Sequence, residues 1–189
     1  MKVLITGICG FEGSNMALKW KDKYEIIGLD ISKSPRTKEL KNIPIYYVDI
    51  TNKEKIEEIV YEHKFDAIVH LAGQVSHLYS QKDPYTDLEV NVKGILNLLE
   101  AIKKYSPKTH LLFASSRSVY GFPKYLPIDE EHPTKPVDAY GISKRTAEQY
   151  CQLYTYHYGI NTTCYRQANL FGPRQQVWTN DFQMISWIF

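Results

Sequence analysis

Short apolar runs alternate with helix-patterned stretches along most of the chain, and that alternation restricts the fold class more than any other feature. Lys2–Thr6 reads as a strand, and a helix starts at Gly13–Trp20. Tyr24–Asp30 and Ile45–Asp49 follow as strands. Asn52–His63 carries Ile56, Ile59 and Val60 at helical spacing. Ala67–Ala72 is apolar except for His70, and Thr86–Lys104 is a long helix with Leu88, Val92, Ile95, Leu98, Leu99 and Ile102 on one side. Thr109–Ser115 is the next strand, Asp138–Tyr158 the next helix and Asn161–Arg166 the last strand. Strands joined through helices pair in parallel by right-handed crossovers. Strands buried on both faces are apolar throughout, as these are. The expectation is an α/β chain: a Rossmann-type, doubly wound parallel sheet with helices on both faces. One long irregular stretch, Gly121–Val137, holds Pro123, Pro127, Pro133 and Pro136. A connection of that length in a compact domain is more often functional than idle.

Composition excludes several classes. The 189 residues suit about one domain, with a core large enough to need no disulfide or metal. Lys+Arg is 23 and Asp+Glu is 21, so no nucleic-acid partner is expected. No apolar stretch approaches the roughly 18 residues of a membrane span, so no membrane partner is expected either. Met1–Gly7 reads straight into a strand, with no secretory leader expected. Cys9, Cys151 and Cys164 have no motif spacing and read as free thiols in a reducing cytoplasm. His63, His77, His110, His132 and His157 lack ligand spacing, so no metal site is assigned.

The first strand runs into Thr6-Gly7-Ile8-Cys9-Gly10-Phe11-Glu12-Gly13-Ser14. Gly7, Gly10 and Gly13, between a strand and a helix, suit a turn that lets a pyrophosphate approach the backbone. The helix N-terminus then offers unpaired N–H groups. A plain tight turn would use the same residues. Asp30, ending the second strand, could accept from both ribose hydroxyls of an adenosine and would repel a 2′-phosphate, favouring NAD over NADP. Alternatively it only caps the strand, and Lys33 and Arg36 leave NADP open. Asp49 is a similar candidate for an adenine amino group, or simply starts the turn at Thr51-Asn52.

Tyr140 and Lys144 stand four apart at the start of a helix and share a face. An ammonium beside a phenol favours the phenolate, and a phenol of ordinary pKa about 10 needs that help to act as a base. Ser115-Ser116-Arg117-Ser118 leaves the C-terminal end of a strand, where open α/β sheets bind ligands. A hydroxyl there could hydrogen-bond the oxygen that the tyrosine deprotonates. A surface pair and a Ser-rich turn are the bland alternatives.

With these residues in place, the chain resembles the extended short-chain dehydrogenase/reductases, in their nucleotide-sugar epimerase and dehydratase branch. The matching residues are Thr6-Gly7-x-x-Gly10-Phe11-x-Gly13-Ser14, Asp30, Asp49-Ile50, His70-Leu71-Ala72-Gly73, Asn91-Val92-x-Gly94, Ser115-Ser116-x-x-Val119-Tyr120-Gly121, Tyr140-Gly141-x-Ser143-Lys144 and Arg166-x-x-Asn169-x-x-Gly172-Pro173. The resemblance implies that Gly7, Gly10, Phe11 and Gly13 line the pyrophosphate of an NAD cofactor. It implies that Asp30 holds the ribose and that Asp49 and Ile50 bracket the adenine. Leu71, Ala72 and Gly73 would pass under the cofactor, and Asn91 would support the active-site strand. Ser116 would be the catalytic hydroxyl, Tyr140 the base, and Lys144 a ribose ligand that lowers the tyrosine's pKa. Gln74, Ser116 and Asn169 would meet a nucleotide-diphosphate sugar.

The implied reaction is transient oxidation of a sugar hydroxyl, with the hydride returned to the other face. Dehydratases of this branch carry an Asp-Glu pair directly after the catalytic hydroxyl; here Arg117 and Ser118 stand there, which disfavours elimination. Epimerisation is the expected activity; a non-catalytic NAD-binding module and a keto-sugar reductase are the alternatives. The run His70–Ser76, followed by Asp83-Pro84, resembles CDP-tyvelose and CDP-paratose 2-epimerases. Glu12 departs from the usual apolar residue beside the phosphates, and Ala168 replaces a bulkier one. The 86–104 and 138–158 helices match a pair that commonly forms a homodimer interface. The tyrosines at 150, 154, 156 and 158 read as helix packing or dimer face. Residues 1–173 are expected to form the NAD-binding domain. Residues 174–189, ending on apolar Met184–Phe189, are expected to begin a substrate lobe that is largely missing, so that the chain binds the dinucleotide better than a sugar.

Overall fold

A computed structural model describes residues 1–175. The elements in chain order are β1 (Lys2–Thr6), α1 (Phe11–Trp20), β2 (Glu25–Asp30), β3 (Ile45–Tyr47), α2 (Lys53–His63) and β4 (Ala67–His70). Then come α3 (His77–Lys82), α4 (Pro84–Leu88), α5 (Gly94–Tyr105), β5 (His110–Ser116), α6 (Ala139–Tyr158) and β6 (Thr162–Gln167). The six strands form one sheet in the order β3-β2-β1-β4-β5-β6, every pair parallel. This is the expected doubly wound topology, and its order reverses between β1 and β4.

Side chains alternate across each strand, so the sheet carries two cores. Leu4, Ile27, Ile68 and Phe113 face Ile56 and Ile59 of α2, Leu98 and Ile102 of α5, and Ala147 and Cys151 of α6. Val3, Ile5, Ile26 and Val69 face Ala17 of α1 and Leu40 on the opposite side. Caps set the helix ends. Asn52 accepts from Lys55 N at 3.1 Å to open α2. Asp138 accepts from Gly141 N at 2.7 Å to open α6, and Gly159, at φ 66°, closes it.

The main departure from the sequence reading is the 86–104 helix. Asp83 caps α4, a π-turn spans Glu89–Lys93, and α5 continues from Gly94. Such a turn adds a residue to the helical repeat and shifts its phase. Leu88, expected on the buried side, is therefore 52% exposed, while Val92 and Ile95 are buried. The short α3 was not anticipated. Two strands stop early: β3 before Asp49, and β4 before Leu71 and Ala72, whose N–H groups turn to Thr6.

A buried carboxylate clamps the active end of the sheet. Glu148 of α6 accepts from Ser115 Oγ at 2.6 Å, from Arg166 Nε and Nη2 at 2.9 Å each, and from Arg145 Nη1 at 3.0 Å. Burial raises its pKa, but the arginines and Ser115 win and hold it below the usual carboxylate range. A group depressed in the folded state stabilises above its unfolded pKa, and that contribution fades as pH falls through the folded value. Removing one partner of such a buried pair costs about 3–5 kcal/mol. Glu148→Ala is expected to lose that much in urea unfolding at pH 7, and less under acid, where the wild type surrenders the same contribution.

Candidate active site

The glycine turn sits where the strand order reverses. Gly7, at φ +72°, takes a conformation that side chains disfavour, and its N–H donates to Leu29 O at 2.7 Å. A Cβ on Gly13 would lie 2.2 Å from Gly7 O, so helix and turn are packed backbone to backbone. Gly10 is the N-cap of α1 and brings no side-chain cap. Asp30, buried at the end of β2, accepts from Cys9 N and from Ser32 N at 2.8 Å each. It anchors the turn as well as ending the strand. Phe11 opens α1, its carbonyl accepting from Ser14 and Asn15 side chains. Glu12 does not settle among the turn's N–H groups: it accepts from Gln167 Nε2 of β6 at 2.7 Å, and burial raises its pKa.

Asp49 is exposed and closes a local turn, Oδ1 accepting from Thr51 N and Oγ1 at 2.8 Å each. Ile50 points into the core, where Gly94 leaves room for it. Any ligand contact from Ile50 is left to its backbone. Under the turn, Thr6 Oγ1 accepts from Leu71 N and Ala72 N at 3.1 Å each and lies 2.8 Å from His70 Nδ1. Burial, and then the charge of Lys144, push His70 down to about 3, so its ring is neutral.

Ser116, Tyr140 and Lys144 are brought together. Ser116 ends β5, and its Oγ accepts from Ser118 N at 3.2 Å. Tyr140 lies in the first turn of α6, and Lys144 Nζ sits 5.7 Å from its ring centroid. Lys144 is 4% exposed and donates to Ala114 O at 3.0 Å. Burial pushes it down to about 8, against the pull of Asp87 and Glu12, so it stays charged at neutral pH. Tyr140 corrects one expectation. Its pKa is pushed up to about 12 by burial, with Asp87, Glu12 and Asp138 adding to the rise; the hydrogen bond with Ser116 opposes it. A phenolate there loses more water than Ser116 returns in hydrogen bonding.

A network behind these residues uses groups not singled out in the sequence. Asp87, fully buried, accepts from Ser80 Oγ at 2.7 Å, Asn91 Nδ2 at 3.0 Å and Gln74 Nε2 at 3.2 Å. Gln74, expected to meet substrate, joins this scaffold, its Nε2 donating to Ser76 O, Ser80 Oγ and Asp87 Oδ1. Asn91, in the π-turn, also donates to Gln74 O at 2.9 Å. Its Oδ1 is buried without a partner beside Gly73. Asn169 accepts from Arg117 Nε at 3.3 Å on the outer lip of β5 and β6. Asp87 was visible only as an acid four residues before Asn91, too little to single it out.

A dinucleotide fits these residues. The uncapped start of α1, the side-chain-free wall at Gly7, Gly10 and Gly73, and the unpartnered Asn91 Oδ1 leave polar groups at the strand ends. Strand order and glycine turn together define an α/β protein of the doubly wound, dinucleotide-binding class. A model of the NAD dependent epimerase/dehydratase family matches residues 3–188. The chain belongs to that family. It is 34% identical over 92% of its length to a putative UDP-glucose 4-epimerase of Methanocaldococcus jannaschii, covering 57% of that protein. It is 33% identical over 99% of its length to a CDP-paratose 2-epimerase of Salmonella typhi, covering 62%. The structure of a Thermus thermophilus UDP-glucose 4-epimerase in complex with NAD superposes with a TM-score of 0.87 at 34% identity, over 95% of this chain and 59% of that one. The chain thus spans about three fifths of the length of these relatives.

Proposed function

We propose that the chain is the cofactor-binding and catalytic part of an NAD-dependent nucleotide-sugar epimerase. The observation that carries this is the meeting of Ser116, Tyr140 and Lys144 at the strand ends, beside the glycine turn. Gly7, Gly10, Phe11 and Gly13 would hold the pyrophosphate of NAD, Asp30 its adenosine ribose, Asp49 its adenine, and Lys144 its nicotinamide ribose. Bound there, the dinucleotide supplies a site that accepts a hydride from a sugar carbon and can return it. Tyr140 takes the proton of the sugar hydroxyl and later gives it back. Ser116 hydrogen-bonds the oxygen as it becomes a carbonyl. To take that proton Tyr140 must first be a phenolate, and Lys144, charged at neutral pH, would offset the negative charge of that form. The raised pKa of Tyr140 makes that charge compensation necessary.

Residues 1–173 form the NAD-binding domain in this reading, and 174–189 open a substrate lobe; all but Arg174 and Gln175 of the latter lie outside the described residues. The reading places the protein in the cytoplasm, and no helix among the described residues is long and apolar enough to cross a membrane. A homodimer through the 86–104 and 138–158 helices is part of the reading. Ile142, Leu153 and Tyr156 of α6 and Tyr85 and Leu88 of α4 are exposed, while Tyr154 is buried. Sedimentation should give twice the chain mass. A monomer at micromolar concentration would remove the dimer.

The activity is tested with NAD and a panel of UDP- and CDP-hexoses deuterated at each ring carbon in turn, followed by NMR. Inversion at one deuterated carbon with the label retained is expected. Net NADH turnover would identify a reductase instead, and NAD binding with every sugar unchanged would identify a binding module.

A further inference from the structure

We propose that His77, held by Asp138, is a positioning residue for Tyr140, covering the phenol ring and fixing where its hydroxyl points. This rests on the reading of Tyr140 as the base. His77 opens α3, and its ring centroid lies 4.6 Å from that of Tyr140, with 61° between the planes. Edge-on aromatic contact at that range is favourable and directional. His77 Nδ1 is 2.8 Å from Asp138 Oδ2; a carboxylate only accepts, so Nδ1 carries the proton. The other oxygen of Asp138 accepts from Gly141 N at 2.7 Å. One carboxylate therefore fixes both the helical turn that carries Tyr140 and the ring packed on it.

The far side of α3 is pinned as well. Ser80 Oγ donates to Asp87 Oδ1 at 2.7 Å, so His77 does not ride on a free loop. At the hydroxyl end stands Ser116, which favours the ionised phenol. The ring contact with His77 is thus what holds the phenol from the side of α3. The charged groups around it are Asp87 from α4, Glu12 from α1, Asp138 at the cap of α6 and Lys144 one turn further on. Deleting the His77 ring changes none of these charges. It admits water to the ring, and burial is the largest cause of the raised phenol pKa.

The test uses the chain with ¹³C-labelled tyrosine rings and Tyr140 assigned from Tyr140→Phe. In the wild type, Tyr140 is expected to stay protonated up to about pH 11 and to flip its ring slowly. In His77→Ala its titration should begin below that pH, moving toward the ordinary value of about 10, and its ring should flip at least tenfold faster. His77→Phe, which keeps the edge contact, should restore the late titration. Should His77→Ala fail to fold, Asp138→Asn serves in its place. Asparagine still caps α6 but holds His77 without a charge, and ring flipping should again quicken. An unchanged titration and flip rate in the folded variant would overturn the inference. NAD affinity measured on the same samples separates the two claims. Failure of the wild type to bind NAD removes the functional reading, whereas NAD binding with an unmoved Tyr140 removes His77 alone.

Discussion

Tyr140→Phe is expected to lower epimerase turnover by about 10²–10⁴-fold, the usual contribution of a positioned acid–base group, while leaving NAD affinity within twofold. The substitution removes one oxygen and keeps the ring, so the contact with His77 survives. Stability should change little, because phenylalanine keeps the buried ring and its packing. The size of the effect follows from the role. Without the hydroxyl the site has no group that both loses and regains the sugar's proton, because Lys144 is tied to Ala114 O. Turnover is measured on whichever hexose of the deuterated panel is inverted, and NAD affinity by calorimetry. Turnover that survives the substitution would remove Tyr140 from the chemistry.

Gly13→Ala is expected to abolish NAD binding and to cost about 3 kcal/mol, the upper range for forcing extra atoms into packed structure. The new methyl would sit 2.2 Å from Gly7 O and 2.6 Å from Ile8 Cα, both backbone atoms. No rotamer relieves that clash; α1 must move away from β1. The turn that would hold the pyrophosphate then opens, and the helix end that faces it is displaced. Gly159→Ala is the contrast. Nothing lies within 4 Å of a Cβ there, and the cost is only the strain of φ +66°. Urea melts and NAD titrations of the two variants should differ in both quantities. A Gly13→Ala protein that binds NAD normally would show that the turn is a structural corner and no more.

The strands and the main helices were legible because apolar runs of four to seven residues have a clear period, and the glycine turn and Tyr140/Lys144 were legible because their spacing is local. What could not be read depended on distant parts. The phase shift at Glu89–Lys93 has no residue signature, so Leu88 was placed on the wrong side. The pKa of Tyr140 was misjudged because helical spacing reveals Lys144 but not how deeply the ring is buried. Asp87, Glu12 and the His77–Asp138 pair reach the phenol from separate elements, and only folding brings them together. Gln74 shows the converse: its place in a family motif was visible, but its commitment to Ser80 and Asp87 was not.

The proposed epimerase stands on an NAD site that Asp30 selects. Calorimetric titration of the wild-type chain with NAD, and separately with NADP, tests it most directly. Asp30 holds a buried carboxylate at the edge of the glycine turn, where a 2′-phosphate would meet like charge. The prediction is one saturable NAD site per chain, with NADP at least about tenfold weaker, a difference of about 1.4 kcal/mol. No heat with NAD, or tighter binding of NADP, would contradict it.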